Sequence, residues 1–229
     1  MTDIRGALRE ALLGEQPRTV NRGRMPVVER ELSRVVATGV PGAVVEFGCF
    51  RGGMTAWMRA ILEGQGCSDR VIHTYDAFQG LPETGAHDGD HLAAGEFAAC
   101  ATEVRSLHET WGLPQPVIHE GWFNQTLPHH LPERIAFVYL DADRYASTLT
   151  CLRACVPRLS AGAVLVLDDY ADASAPGVDD EYPAQPKSPG VMKACEEYFG
   201  APSPVTVASA GGGWGLGVYR HLDRAGNFR

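Results

Sequence analysis

The chain reads as a doubly wound α/β protein, and three observations predict it. Two unbroken apolar runs, Ile135–Leu140 and residues 164–167, suit strands buried on both faces of a sheet. Strand-like and helix-like stretches alternate along the chain, the pattern of a sheet with helices on both faces. A β-rich run at residues 43–47 opens through glycines into an apolar, helix-periodic stretch at 54–62. That is the strand–loop–helix unit that seats a nucleotide-like ligand at the carboxyl edge of a parallel sheet.

The elements follow in order. Residues 5–14 and 26–38 read as helices, the second because Val27, Val28, Leu32, Val35 and Val36 recur at helical spacing. Pro41-Gly42 breaks the chain before the first strand. A second strand covers 71–75 and ends at Asp76. Residues 79–95, rich in Gly, His and Asp, predict a surface loop or lid. A helix is expected over 96–111 and a short strand over 117–119. After Ile135–Leu140 a helix is expected from about 147 to 158, and Ser160-Ala161-Gly162 reads as a turn. Residues 171–190 hold Pro, Gly and Asp without periodicity and predict a mobile loop. A helix at 190–199 and strands near 204–208 and 214–220 close the chain. Residues 1–40 form an N-terminal helical lid or oligomerisation segment, and 41–229 form the main domain.

Composition narrows the function. The 229 residues suit one large domain. A net charge of −8, from 20 basic and 28 acidic residues, argues against a nucleic-acid partner, which needs a basic footprint. The longest apolar runs are too short to span a membrane. The charged start, Met1-Thr2-Asp3-Ile4-Arg5, lacks the apolar core of a secretory signal. The six cysteines show no C-x-x-C spacing and read as reduced, buried thiols. A cytoplasmic protein is expected.

The glycine loop is informative in detail. A dinucleotide fingerprint needs G-x-G-x-x-G, but Phe50 stands where the second glycine must meet a pyrophosphate, which disfavours NAD. The pattern here is Glu46-x-Gly48-x-x-x-Gly52-Gly53. A loop without pyrophosphate chemistry, beside an acid, suits a ligand with an ammonium group and no phosphate. S-adenosylmethionine is the candidate; an ordinary strand–helix turn is the alternative.

Acids end the two buried runs: Asp141 after the first, Asp168-Asp169 after the second. Carboxylates converging at the ligand edge of a sheet repel one another unless a cation neutralises them. Oxygen ligands favour Mg²⁺, with Mn²⁺ or Ca²⁺ as alternatives. Helix and turn capping is the competing role, since Asp143 stands where a helix starts. A divalent ion beside a methyl donor has a job: it acidifies a hydroxyl and holds it in line.

These stretches carry a family resemblance. Residues 40–53 (Val-Pro-Gly-Ala-Val-Val-Glu-Phe-Gly-Cys-Phe-Arg-Gly-Gly), 76–82 (Asp-Ala-Phe-Gln-Gly-Leu-Pro) and 120–128 (Glu-Gly-Trp-Phe-Asn-Gln-Thr-Leu-Pro) occur in order. Residues 140–148 (Leu-Asp-Ala-Asp-Arg-Tyr-Ala-Ser-Thr) and Asp168-Asp169-Tyr170 complete the series. The chain resembles the macrocin O-methyltransferase family, metal-dependent enzymes that methylate sugar hydroxyls of natural products, over about residues 24–200. The resemblance implies a Rossmann-like class I methyltransferase sheet. Glu46, Gly48, Gly52 and Gly53 would hold the methionine end of the donor. Asp76 would meet the ribose, Ala77 and Phe78 would also touch the donor, and Gly121, Trp122 and Phe123 would line the adenine pocket. Asp141 would touch the donor and, with Asp168 and Asp169, bind the metal. Asp141 or Asp143 would take the substrate proton, Asp141 being preferred. Residues 171–189 look longer than the family's link at this point, so the family's acceptor does not carry over. His87, His91, His129 and His130 are weaker substrate candidates.

The reading expected is a Mg²⁺-dependent O-methyltransferase acting on a sugar or cyclitol hydroxyl of a secondary metabolite. The N-terminal helices are a candidate homodimer contact. A metal-independent methyltransferase and a non-catalytic nucleoside-binding α/β module are the rivals.

Overall fold

A computed structural model of the chain describes residues 4–171, 188–209 and 215–222. The seven strands β1 (Ala43–Phe47), β2 (Ile72–Asp76), β3 (Val117–Glu120), β4 (Ile135–Leu140), β5 (Leu159–Ala171), β6 (Thr206–Ser209) and β7 (Gly215–Arg220) form one sheet. Their order is β3-β2-β1-β4-β5-β7-β6, parallel from β3 to β5, with β7 antiparallel to both neighbours. The order reverses between β1 and β4. That switch point opens a crevice at the carboxyl ends of two adjacent strands.

The helices α1 (Ile4–Glu15), α2 (Arg24–Ala37), α3 (Gly53–Gly64), α4 (Ala101–Thr110), α5 (Phe123–His130), α6 (Tyr145–Cys155) and α7 (Pro189–Phe199) flank the sheet. Every residue of β4 is buried, as its unbroken apolar run requires. Leu8 and Leu12 of α1 and Met25, Val28, Leu32 and Val35 of α2 belong to the same core as β1, β4 and β5. The N-terminal helices are therefore packed into the main body. Burying such side chains contributes about 1.5–3 kcal/mol each. An ion pair adds direction: Arg220 on β7 donates to both oxygens of Glu31 on α2 at 2.9 Å.

Several sequence expectations are corrected. The helix expected over 96–111 begins only at Ala101. Phe97 has φ 61°, outside helical geometry, and Cys100 and Glu103 cap the start reciprocally. Ser160-Ala161-Gly162 is not a turn but the early part of β5; the Gly162 amide donates to the His221 carbonyl at 2.8 Å. Asp168 and Asp169 therefore lie within β5 and not beyond it. The helix after β4 starts at Tyr145 and ends at Cys155, with a 3₁₀ turn at Val156–Arg158. A further helix at Phe123–His130 is not among those expected. Of the loop expected at 171–190, residues 172–187 lie outside the described residues.

Candidate active site

The first half of the site is the turn after β1. Gly48 has φ 80°, and its amide donates to the Tyr75 carbonyl of β2 at 2.9 Å. A Cβ at position 48 would stand 1.8 Å from the Asp141 carbonyl oxygen, so only glycine lets the two strand ends meet. Gly52, at φ 79°, caps α3 in a left-handed conformation that suits glycine. Asp76 organises the loop from the next strand. Its Oδ2 accepts from the Cys49 amide at 2.9 Å and the Phe50 amide at 2.8 Å, and its Oδ1 accepts from the Phe78 amide at 2.7 Å. Burial pushes the Asp76 carboxyl up, and these amides pull it back down.

Glu46 sits elsewhere than expected. It is 1% exposed, beneath the loop, and accepts from the hydroxyls of Thr55 on α3 and Thr74 on β2. Burial pushes its carboxyl up to about 8, against the two hydroxyls. It braces β1, β2 and α3 and does not line the cleft.

The second half is acidic. Asp141, Asp143 and Asp169 each place a carboxylate oxygen within 4.8 Å of the others. Asp143 and Asp169 have φ of 54° and 53°, a backbone state that non-glycine residues seldom adopt and that tends to mark functional sites. Burial, then the neighbouring carboxylates, pushes Asp141 and Asp169 well up, while the Arg24 charge opposes this. Asp143 is pushed up to about 6, by burial first and Asp168 second.

Asp168 stands one step behind this group. Its Oδ2 accepts from the Tyr139 hydroxyl at 2.5 Å and its Oδ1 from the Asp169 amide at 2.8 Å. Arg24 Nε lies 2.9 Å from Oδ1 and 2.8 Å from Oδ2. Arg24 also reaches Asp169 Oδ1 with Nη2 at 3.2 Å and the Arg18 carbonyl with Nη1 at 2.9 Å. The expected ligand set of Asp141, Asp168 and Asp169 thus differs from the set whose oxygens converge.

These halves face a cleft of about 780 Å³, the size of a small-molecule site. Gly48, Asp76, Ala77, Trp122, Phe123, Asp141, Asp143 and Asp169 line it; Gly52, Gly53, Phe78, Gly121 and Asp168 do not. Of the histidines, only His91 does. The far wall comes from Pro17, Arg18, Thr19 and Asn21 ahead of α2, from the lid at 80–97, and from Tyr145 and Thr150 on α6. Arg18 joins two of these pieces: it pairs with Glu96 at 3.0 Å and lies 4.4 Å above the Phe97 ring, which meets Phe50 edge-on at 5.6 Å. Arg144, 2% exposed, fixes the lid by donating to the carbonyls of Gly89 at 3.4 Å and Leu92 at 2.8 Å. Asp88 accepts from the Tyr145 amide at 2.7 Å. Sequence reasoning missed Arg18, Arg24, Arg144 and the lid contacts; an arginine at the first turn of an amphipathic helix was the one available hint.

A sheet with this strand order, a glycine turn after β1 and a cleft at its switch point has the Rossmann-like class I methyltransferase fold. The model of the macrocin-O-methyltransferase (TylF) family matches residues 17–184, and the chain belongs to that family. It is 40% identical over 156 residues to the 8-demethyl-8-(2,3-dimethoxy-alpha-L-rhamnosyl)-tetracenomycin-C 4'-O-methyltransferase of Streptomyces olivaceus, covering 64% of this chain and 60% of that protein. It is 32% identical to the demethyldecarbamoylnovobiocin O-methyltransferase of Streptomyces niveus, with the same coverage. The chain therefore spans about three-fifths (60%) of the length of these two relatives. Among solved structures, the O-methyltransferase NovP superposes with a TM-score of 0.72 at 25% identity, over 89% of this chain and 81% of that one. No helix among the described residues is long and apolar enough to cross a membrane.

Proposed function

We propose that the chain is an S-adenosylmethionine-dependent O-methyltransferase whose acceptor is a hydroxyl on a sugar unit of a secondary metabolite. One observation carries this reading: the glycine turn at Gly48 and the carboxylates of Asp141, Asp143 and Asp169 face one cleft at the switch point. One relative is named for a rhamnosyl-bearing tetracenomycin C and another for demethyldecarbamoylnovobiocin, which supports the acceptor class.

The donor would supply an electrophilic methyl group. Gly48 gives its backbone room against the Asp141 strand end. The loop amides take three of the roughly four acceptor sites of the Asp76 carboxylate, which leaves Oδ1 room for one ribose hydroxyl, and Trp122 and Phe123 offer aromatic faces to a base.

Converging carboxylate oxygens match a hard divalent cation, Mg²⁺ or Mn²⁺, which when bound would acidify a nearby hydroxyl. Asp141 and Asp169 are the residues to hold it. Asp143 is assigned the hydroxyl proton, in place of Asp141. Asp141 lies on the Gly48 side of the cleft, whereas Arg144 and Tyr145, next after Asp143, carry the contacts to the lid. Asp143 is thus the member of the group that adjoins, in sequence, the residues reaching the lid. The lid and residues 17–21 would exclude water and orient the sugar.

A metal-independent transferase is favoured by one observation, that Arg24 already neutralises part of the acid group. The deciding experiment is calorimetric titration of S-adenosylmethionine with Mg²⁺ and with chelator, followed by transfer assays on glycosylated acceptors. Donor binding with chelator-sensitive transfer is expected. Absence of donor binding overturns the reading; transfer that survives chelation leaves the metal-independent form.

A further inference from the structure

Arg24 has no task in the donor binding or proton transfer described above, yet it is buried and anchored on three sides. Its side chain is 6% exposed. Its Nε meets both oxygens of Asp168, its Nη2 meets Asp169, and its Nη1 meets the Arg18 carbonyl. A guanidinium with partners on three sides is fixed, because leaving would strand a buried carboxylate without a counter-charge. Arg144 works from another side: its Nη atoms donate to the carbonyls of Gly89 and Leu92, and its charge bears on Asp143, whereas Arg24 makes the contacts to Asp168 and Asp169.

We propose that Arg24 is a positioning residue for divalent cations: a built-in counter-ion that holds Asp168 and Asp169 in place and sets the affinity of the carboxylate group for a metal below what the carboxylates alone would give. The inference rests on the reading that Asp141 and Asp169 hold a cation. A positive charge within about 3 Å of a ligand carboxylate opposes the arrival of a second cation, and burial weakens the screening between them. The arginine is an advantage nonetheless, since without it the acids repel one another whenever no ion is bound. The same guanidinium grips the segment that walls the cleft, so wall and ion site share one anchor.

The test uses Mn²⁺ alone, with free ion counted by electron paramagnetic resonance and with no donor, acceptor or activity readout. Wild-type protein, Arg24→Met, Arg24→Gln, Arg24→Lys and Asp169→Asn are compared. Arg24→Met is expected to bind Mn²⁺ about tenfold more tightly, while Arg24→Lys stays within about threefold of wild type. A merely structural role predicts weaker binding in both, because a disordered site holds metal less well. Where Arg24→Met does not fold, Arg24→Gln, which keeps a donor but no charge, carries the same expectation. Unchanged or weaker binding in the uncharged variants overturns the proposal while leaving the metal reading intact, provided Asp169→Asn loses binding. Absence of Mn²⁺ binding in wild type and in the uncharged variants alike overturns both.

Discussion

The Asp141 carbonyl oxygen lies so close to Gly48 that a methyl group there would approach it to 1.8 Å. Two strand ends from distant parts of the chain are thus in backbone contact at the floor of the cleft. Gly48→Ala has to push β1 and β4 apart and also hold alanine at φ 80°. A loss of at least about 2 kcal/mol of stability is expected. Donor affinity should fall with it, and denaturant melts with donor calorimetry check both.

Asp143→Asn keeps the shape of the side chain and removes its basicity. Turnover should fall by about 10²–10⁴-fold with donor affinity within a few-fold of wild type. Single-turnover transfer measured beside donor titration separates the two. Turnover near the wild-type rate would move the base to Asp141.

Glu46 makes stability depend on pH. Its folded carboxyl titrates at about 8 against an ordinary value of 4.5. The folded state therefore holds a proton that the unfolded chain has released. Its contribution is complete below pH 4.5 and is lost as pH rises towards 8. Glu46→Gln is close to the protonated form and lacks this slope. Relative to wild type, the variant should gain several kcal/mol between pH 5 and pH 8, at up to about 1.4 kcal/mol per unit. Urea melts across that range read it directly, and a constant difference sinks the assignment. Because Glu46 does not line the cleft, donor affinity should change only a few-fold.

Arg144→Ala frees the carbonyls of Gly89 and Leu92. Protease cleavage within residues 80–95 should rise, and acceptor KM should rise more than kcat falls. Equal cleavage in variant and wild type counts against a lid held by Arg144.

Local signals carried much of this structure into the sequence. β1 and β4 lie where their apolar runs put them, and Gly48, Asp76, Asp141 and Asp143 line one cleft because they end or follow parallel strands, with Asp169 joining them from within β5. What the sequence hid was non-local. Arg24 meets Asp168 across 144 positions, with nothing local to mark the pairing. α5 is short and carries Pro128, so its helicity comes from packing against its neighbours. The first residues of β5 are poor strand formers held by pairing to their neighbours. Glu46 looked like a ligand residue because acids at strand ends often are; its side chain instead turns under α3, where two threonines await it.

Floor and walls of the cleft have different origins. The floor is made by strand ends that the sheet cannot rearrange, whereas much of the wall is two loop stretches, residues 17–21 fastened through Arg24 and the Arg18–Glu96 pair, and the lid fastened through Arg144 and Asp88. The two stretches are thus interchangeable parts with defined fastening points. Under the proposed methyl-transfer reading, swapping both stretches together between relatives should move acceptor preference while donor binding stays in place.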